Sequence, residues 1–185
     1  MTIICAFDTE TNGLLTKNNL TNLQTVFLLQ LTWIIYDTDT QQIEENDYIL
    51  KCPVPITNSH IHGITDSMSQ YGYDFSDICD LFMTDLKRAN LLVFHNGQFD
   101  LNIIELELYR LEMFDCIDLL YDKPFYDTMK QSVNLLKIKG KYGYKYPKLI
   151  ELYKHYFGSE FEGQHDALYD TRATLECYLE MVKSI

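Results

Sequence analysis

The apolar positions divide the chain into a strand-rich first third and a strand–helix remainder. Thr2 to Phe7 (TIICAF) is an apolar run that ends in Asp8-Thr9-Glu10. Residues 11–25 are polar and rich in Asn and Thr, which predicts a loop. Val26 to Tyr36 (VFLLQLTWIIY) is almost continuously apolar, as a central strand should be. After a turn at Asp37 to Thr40, Gln42 to Cys52 reads as a third strand anchored by Ile43, Tyr48 and Ile49. Three early strands with intervening turns predict an antiparallel meander. Pro53 and Pro55 end the sheet run, and the stretch SHIHGITDSMSQYGYDF reads as loop.

Helical spacing takes over from there. Phe75, Ile78, Cys79, Phe82 and Leu86 fall on one face of a helix over Phe75 to Arg88. Leu91 to Phe94 is a short buried strand, followed by a helix over Asp100 to Glu112 with Ile103, Ile104, Leu108 and Leu111 as its stripe. Lys148 to Phe157 reads as a helix closed by Gly158. The last helix starts near Asp166, which suits an N-cap, and its stripe is Leu168, Leu175, Tyr178, Leu179 and Val182. Strands first and strand–helix alternation afterwards predict an α/β sandwich with a mixed sheet.

The totals bound this picture without changing it. A chain of 185 residues with 46% hydrophobic and 23% charged content suits one soluble domain over 1–185. No apolar run approaches the roughly 20 residues of a membrane span, and the N-terminus has no signal-peptide pattern. Cys5, Cys52, Cys79, Cys116 and Cys177 are odd in number and scattered. With no C-x-x-C pair among them, that points to free thiols in a reducing, cytoplasmic setting, not to a disulfide frame or a zinc site. The net charge of −12 argues against a simple nucleic-acid binder. Acids grouped around a metal would be neutralised by it, however.

The acids are grouped. Strand alternation points Asp8 and Glu10 the same way, roughly 6.5–7 Å apart. Two carboxylates aimed together repel unless one is protonated or a cation lies between them. Asp100 follows HNGQF at a strand–helix junction, where ligands of open α/β sheets gather. It could equally be a helix-starting acid that complements the dipole. His165 and Asp170 lie in QHDALYDTRAT. On one ideal helix they would stand about 140° apart, so Asp166 as cap puts His165 in the preceding loop and Asp170 one turn in.

In this order the segments resemble the DEDD superfamily of ribonuclease-H-like 3′–5′ exonucleases, in its histidine-bearing DEDDh branch. That branch includes the proofreading epsilon subunit of bacterial DNA polymerase III, ribonuclease T and oligoribonuclease. FDTETNGL is similar to the first exonuclease motif, VFHNGQFDLNII to the second, and HDALYDTRAT to the third. HGIT at 62–65 is similar to a segment often found between the first two.

The resemblance implies a mixed five-stranded sheet flanked by helices, and a metal-dependent 3′–5′ exonuclease that releases nucleoside 5′-monophosphates. It implies Asp8, Glu10, Asp100 and Asp170 as ligands of two Mg²⁺ or Mn²⁺ ions, about 3.5–4 Å apart in such sites. An all-oxygen set of this kind disfavours zinc. It implies His165 as general base, a task to which the imidazole of histidine is chemically suited.

Small, polar Thr11, Asn12 and Gly13 are then expected near the terminal nucleotide, with Leu14 as a wedge against its base. Asn96 is a further candidate contact or a residue that stabilises its own loop, and His62 is as well explained by structure as by substrate. Lys130 to Lys154 holds seven lysines against one acid, Glu151, with Tyr142, Tyr144 and Tyr146 interleaved. Lysines on phosphates and tyrosines on bases would guide a single strand, with Lys139, Lys141 and Lys145 as the contacts; a solvated loop whose tyrosines pack on the fold explains the pattern equally well.

The expected partner is nucleic acid with a free 3′ end, single-stranded DNA first and RNA as the alternative. The chain is expected to be a monomer or homodimer. It ends at Ile185, directly after the last helix, so a free-standing nuclease is favoured over a polymerase-docked proofreading subunit.

Overall fold

The computed structural model describes residues 2–183; Ile185, where the sequence ends, lies outside them. One five-stranded sheet organises the chain, in the order β3-β2-β1-β4-β5. β1 (Ile3–Thr11) is central. It pairs antiparallel with β2 (Leu28–Asp37), which pairs antiparallel with β3 (Ile43–Ile49), so the expected meander is present. On its other side β1 pairs parallel with β4 (Leu91–Phe94), and β4 with β5 (Phe125–Asp127).

The stretch before β2 is not all loop. α1 (Asn19–Thr25) forms there, with the Asn18 side chain accepting from the Thr21 N–H as a cap. The segment expected to be loop between the two prolines and residue 75 contains two short helices, α2 (Ser59–His62) and α3 (Asp66–Gln70). α4 (Phe75–Arg88) matches its predicted span, and α5 begins slightly earlier than expected, over Gln98–Arg110. α6 (Phe114–Asp122), α7 (Thr128–Leu136) and the hairpin β6 (Lys139–Gly140) and β7 (Gly143–Tyr144) fill the region that the apolar pattern leaves unassigned. α8 (Leu149–Phe157) and α9 (Ala167–Lys183) complete the fold.

Alternation along β1 divides the core between two layers. Cys5 and Phe7 join Trp33, Phe82, Phe94 and Ile104 in the layer under α4, α5 and α6. Phe7 meets Phe82 and Phe94 edge-on at ring-centroid distances of 5.9 and 5.7 Å. Ile4 and Ala6 face the other way and pack with Ile34, Val93 and Leu175 of α9. The buried face of α9 is lined largely by Ala167, Thr171, Ala173 and Thr174, which the expected stripe of large residues omitted. No helix among the described residues is long and apolar enough to cross a membrane.

Candidate active site

The parallel register of β1 and β4 brings the site's segments to one edge. Ala6 is level with Val93, so β4 ends beside Phe7, and the loop toward Asp100 leaves next to Asp8. Asp8 and Glu10 lie on the α9 side of β1, the same side as Ile4 and Ala6. Asp170 lies in the first turn of α9. One oxygen from each of Asp8, Glu10 and Asp170 lies within 4.8 Å of the others.

Asp100 arrives from the opposite layer, on α5. Its Oδ1 accepts from the Thr9 N–H at 3.1 Å and from the Thr9 hydroxyl at 2.7 Å. Thr9 points to the α5 side because it alternates with its two acidic neighbours. Asp100 is therefore beside the three-carboxylate group but turned toward Thr9, and it is not one of the three oxygens that converge. The four acids expected to act as one set are arranged as three plus one.

The electrostatics follow from crowding. Burial, then Asp100, Asp170 and Glu10, hold the Asp8 carboxyl well above its ordinary range. Burial, then Asp170 and Asp100, push Glu10 up to about 8. Burial pushes Asp100 up to about 7 against the opposing pull of its Thr9 hydrogen bonds. Asp170 is raised to about 6 by burial, offset by the N–H of His165. A compact all-oxygen donor set whose members resist ionising side by side fits a hard divalent cation, and Asp8, Glu10 and Asp170 would hold it.

His165 is in the loop before α9, exposed, with φ +67°, and its backbone N–H donates to Asp170 Oδ2 at 3.1 Å. Asp166 caps α9, its Oδ1 accepting from the Leu168 N–H at 3.0 Å, and it adds to the negative field on Asp8 and Glu10.

The segment after Glu10 is tied down. The Asn12 side chain accepts from the Phe27 N–H at 2.6 Å and donates to the Thr25 carbonyl at 2.9 Å, so its amide is committed to the loop. Thr11 donates its hydroxyl to the Gly13 carbonyl at 2.7 Å. A Cβ on Gly13 would meet nothing, and Leu14 beside it is 81% exposed. Asn96 is exposed with φ +73°, its N–H donating to Asp127 Oδ1 at 3.2 Å. Lys139 and Lys141 are exposed, whereas Lys145 is paired with Glu151 at 2.6 Å.

Two residues escape a reading of motifs. Gln30, opposite Glu10 on β2, is 4% exposed; its Oε1 accepts from the Ala167 N–H at 3.4 Å and its Nε2 donates to Asp47 at 2.8 Å. It thereby ties the start of α9 to the sheet. Its signal is present in the sequence, as a lone glutamine inside an apolar strand. Asn58 donates to the Thr11 carbonyl at 2.8 Å, and its Oδ1 and the Nε2 of buried His62 have no hydrogen-bond partner among the described residues.

Comparisons with known proteins bear on the fold and the family of the chain. Among solved structures, the chain is similar to cell-death related nuclease 4 (CRN-4), at 14% identity and a TM-score of 0.66 over 98% of this chain and 64% of that one. It is similar to a 3′-exonuclease described in 3′-end specific recognition of histone mRNA stem-loop, at 14% identity and a TM-score of 0.69 over 98% and 64%. The RNase domain of the yeast Pop2 protein matches at 14% identity with a TM-score of 0.70 over 98% and 76%. At these identities the likeness is one of fold, and the chain spans under two thirds of the length of the first two. No curated protein matches the sequence significantly. A family model described as RNase_T, Exonuclease, matches residues 5–178. The chain belongs to the RNase_T exonuclease family, within the DEDD superfamily.

Proposed function

We propose that this chain is a divalent-metal-dependent 3′–5′ exonuclease that hydrolyses single-stranded DNA to nucleoside 5′-monophosphates. The observation that carries this is the convergence of Asp8, Glu10 and Asp170 oxygens within 4.8 Å, with His165 held against Asp170. Two Mg²⁺ or Mn²⁺ ions held there would supply charge stabilisation for an in-line displacement at phosphorus. Asp8, Glu10 and Asp170 would hold the cations; Asp100, with one oxygen committed to Thr9, would offer the other. The His165 imidazole takes the proton of the attacking water. Its position on an exposed loop lets it approach that water and then release the proton to solvent. Leu14 stacks against the terminal base, and the open space at Gly13 admits the sugar. Thr11 shapes that turn, Asn12 holds it to the chain just before β2, and Asn96 reaches toward the strand.

RNA as substrate has one observation in its favour: a structural neighbour is described with a histone mRNA stem-loop. Matched DNA and RNA oligonucleotides, single- and double-stranded and labelled at either end, should be digested with Mg²⁺, Mn²⁺ or EDTA. Loss of label from the 3′ end with Mg²⁺ or Mn²⁺ only is the expected result. Metal-dependent hydrolysis that survives in an Asp8→Ala/Glu10→Ala variant refutes the assignment.

A further inference from the structure

A polyanion approaching this protein meets a net charge of −12 and a cluster of carboxylates. One surface opposes that field. Residues 137–148 hold five lysines and no acid. The fold shapes this segment into the β6–β7 hairpin, with Lys139 paired to Tyr144, Gly140 to Gly143, and Lys141-Tyr142 at the tip. Gly143 has φ +132°, which a side chain would strain, so the tight turn requires glycine there. The tip presents Tyr142 with 90% of its surface in water, and Tyr144 and Tyr146 are also exposed. Rings left in solvent add nothing to the core. Lys141 Nζ lies 5.0 Å from the centroid of the Tyr142 ring, leaving the opposite ring face free. Among the described residues Lys139 and Lys141 have no carboxylate partner, whereas Lys145 is neutralised by Glu151.

The foot of the hairpin is fastened to the edge that carries the site. Pro147 is buried, and its carbonyl accepts from His95 Nε2 at 3.1 Å. The other ring nitrogen of His95 is 2.9 Å from the Thr128 hydroxyl. His95 directly follows β4 and opens the loop that leads through Asn96 to Asp100. The returning arm of the hairpin and Asp100 therefore start from one strand end.

We propose that the β6–β7 hairpin is a second nucleic-acid surface: a platform on which the strand upstream of the 3′ terminus stacks unpaired bases on Tyr142 and its neighbours. Lys139 and Lys141 neutralise the phosphates between them. The platform rests on the exonuclease assignment for its purpose, but its binding can be measured without catalysis. It makes the enzyme prefer strands long enough to reach the hairpin, with little regard for sequence, because every base has a π-face.

The test compares the full chain with a Lys139→Ala/Lys141→Ala/Tyr142→Ala variant. All three side chains are exposed, so an unaltered thermal melt is expected to confirm folding. In EDTA, fluorescence anisotropy of a 5′-labelled single strand of about 20 nucleotides should show Kd rising about tenfold. The slope of log K against log salt should shrink by about 1.4, at ~0.7 for each of two phosphates. Tyr142→Ala alone should raise Kd and leave the slope unchanged. With Mg²⁺, the ratio of kcat/KM on the long strand to that on a dinucleotide should fall with binding. Unchanged Kd and slope in the triple variant overturn the proposal. So does an equal loss on both substrates, which would make the hairpin a support for the catalytic edge. A wild-type chain that hydrolyses neither substrate sinks the exonuclease assignment, while the anisotropy comparison still decides the platform.

Discussion

Replacing Glu10 with Gln should stabilise the metal-free protein while disabling it. Glu10 is held at about 8 by burial and by Asp170 and Asp100, against an ordinary value of 4.5. Its folded value is raised, so between pH 4.5 and about 8 the folded chain keeps a proton that the unfolded chain releases. The folded state binds more protons, and stability falls as pH rises through that window. At ~1.4 kcal/mol per pH unit, the whole gap corresponds to about 5 kcal/mol. Glu10 is only half-buried at a strand end and can turn toward water, so about 2 kcal/mol is the realistic cost at pH 8. Gln keeps the shape and cannot ionise. In EDTA the two proteins should melt together at pH 5, and at pH 8 the variant should melt about 4–8 °C higher, at ~2–4 °C per kcal/mol for a chain of this size. Saturating Mg²⁺ should stabilise the wild type more than the variant and shrink the difference. Melting curves at pH 5, 6.5 and 8, with EDTA and with Mg²⁺, measure all of this. A Gln variant that melts at or below the wild type at pH 8 in EDTA would refute the claim that these carboxylates repel.

Two further outcomes follow from the geometry. His165→Ala should lower kcat by about 10²–10⁴ with little change in KM, since the side chain is exposed and supports no core; a loss under about threefold in single-turnover assays would remove it as general base. Thr9→Val removes the hydroxyl that holds Asp100 at 2.7 Å. The Mg²⁺ concentration for half-maximal activity should rise by about 10–100-fold, as for other groups that orient a ligand, and an unchanged Mg²⁺ titration would show that this hydrogen bond orients nothing.

Part of this architecture is local, and local features are legible. Alternation in TIICAFDTE puts Asp8 and Glu10 on one face whatever surrounds the strand. An Asp cap at 166 places His165 before α9 and Asp170 within its first turn, because helix geometry depends only on neighbouring residues. The stripe of α4 is read correctly for the same reason. The region over 113–136 is harder: β5 has only three residues, too few for a periodic signal, and α6 and α7 have nine each. α1 is concealed by its Asn and Thr residues, which favour turns unless a tertiary fold holds them. Arg110 supplies that hold, donating to the carbonyls of Asn22, Leu23 and Val26 from a distant helix.

The sequence by itself determined which side chains could form the site: two acids on one strand face, one at a strand–helix junction, and a histidine and an acid around a cap. Tertiary structure alone decided how they are shared between layers. α9 packs on the face that carries Asp8 and Glu10, so Asp170 joins them. α5 packs on the other, so Asp100 reaches the edge from behind and is captured by Thr9. Tertiary contacts likewise commit Asn12 to Thr25 and Phe27, just before β2, and Lys145 to Glu151, while leaving Lys139 and Lys141 exposed to solvent. The physical reason is range. Periodicity fixes the direction of a side chain relative to its own backbone, but its partner is set by which helix covers which face, and that depends on burial summed over the whole core.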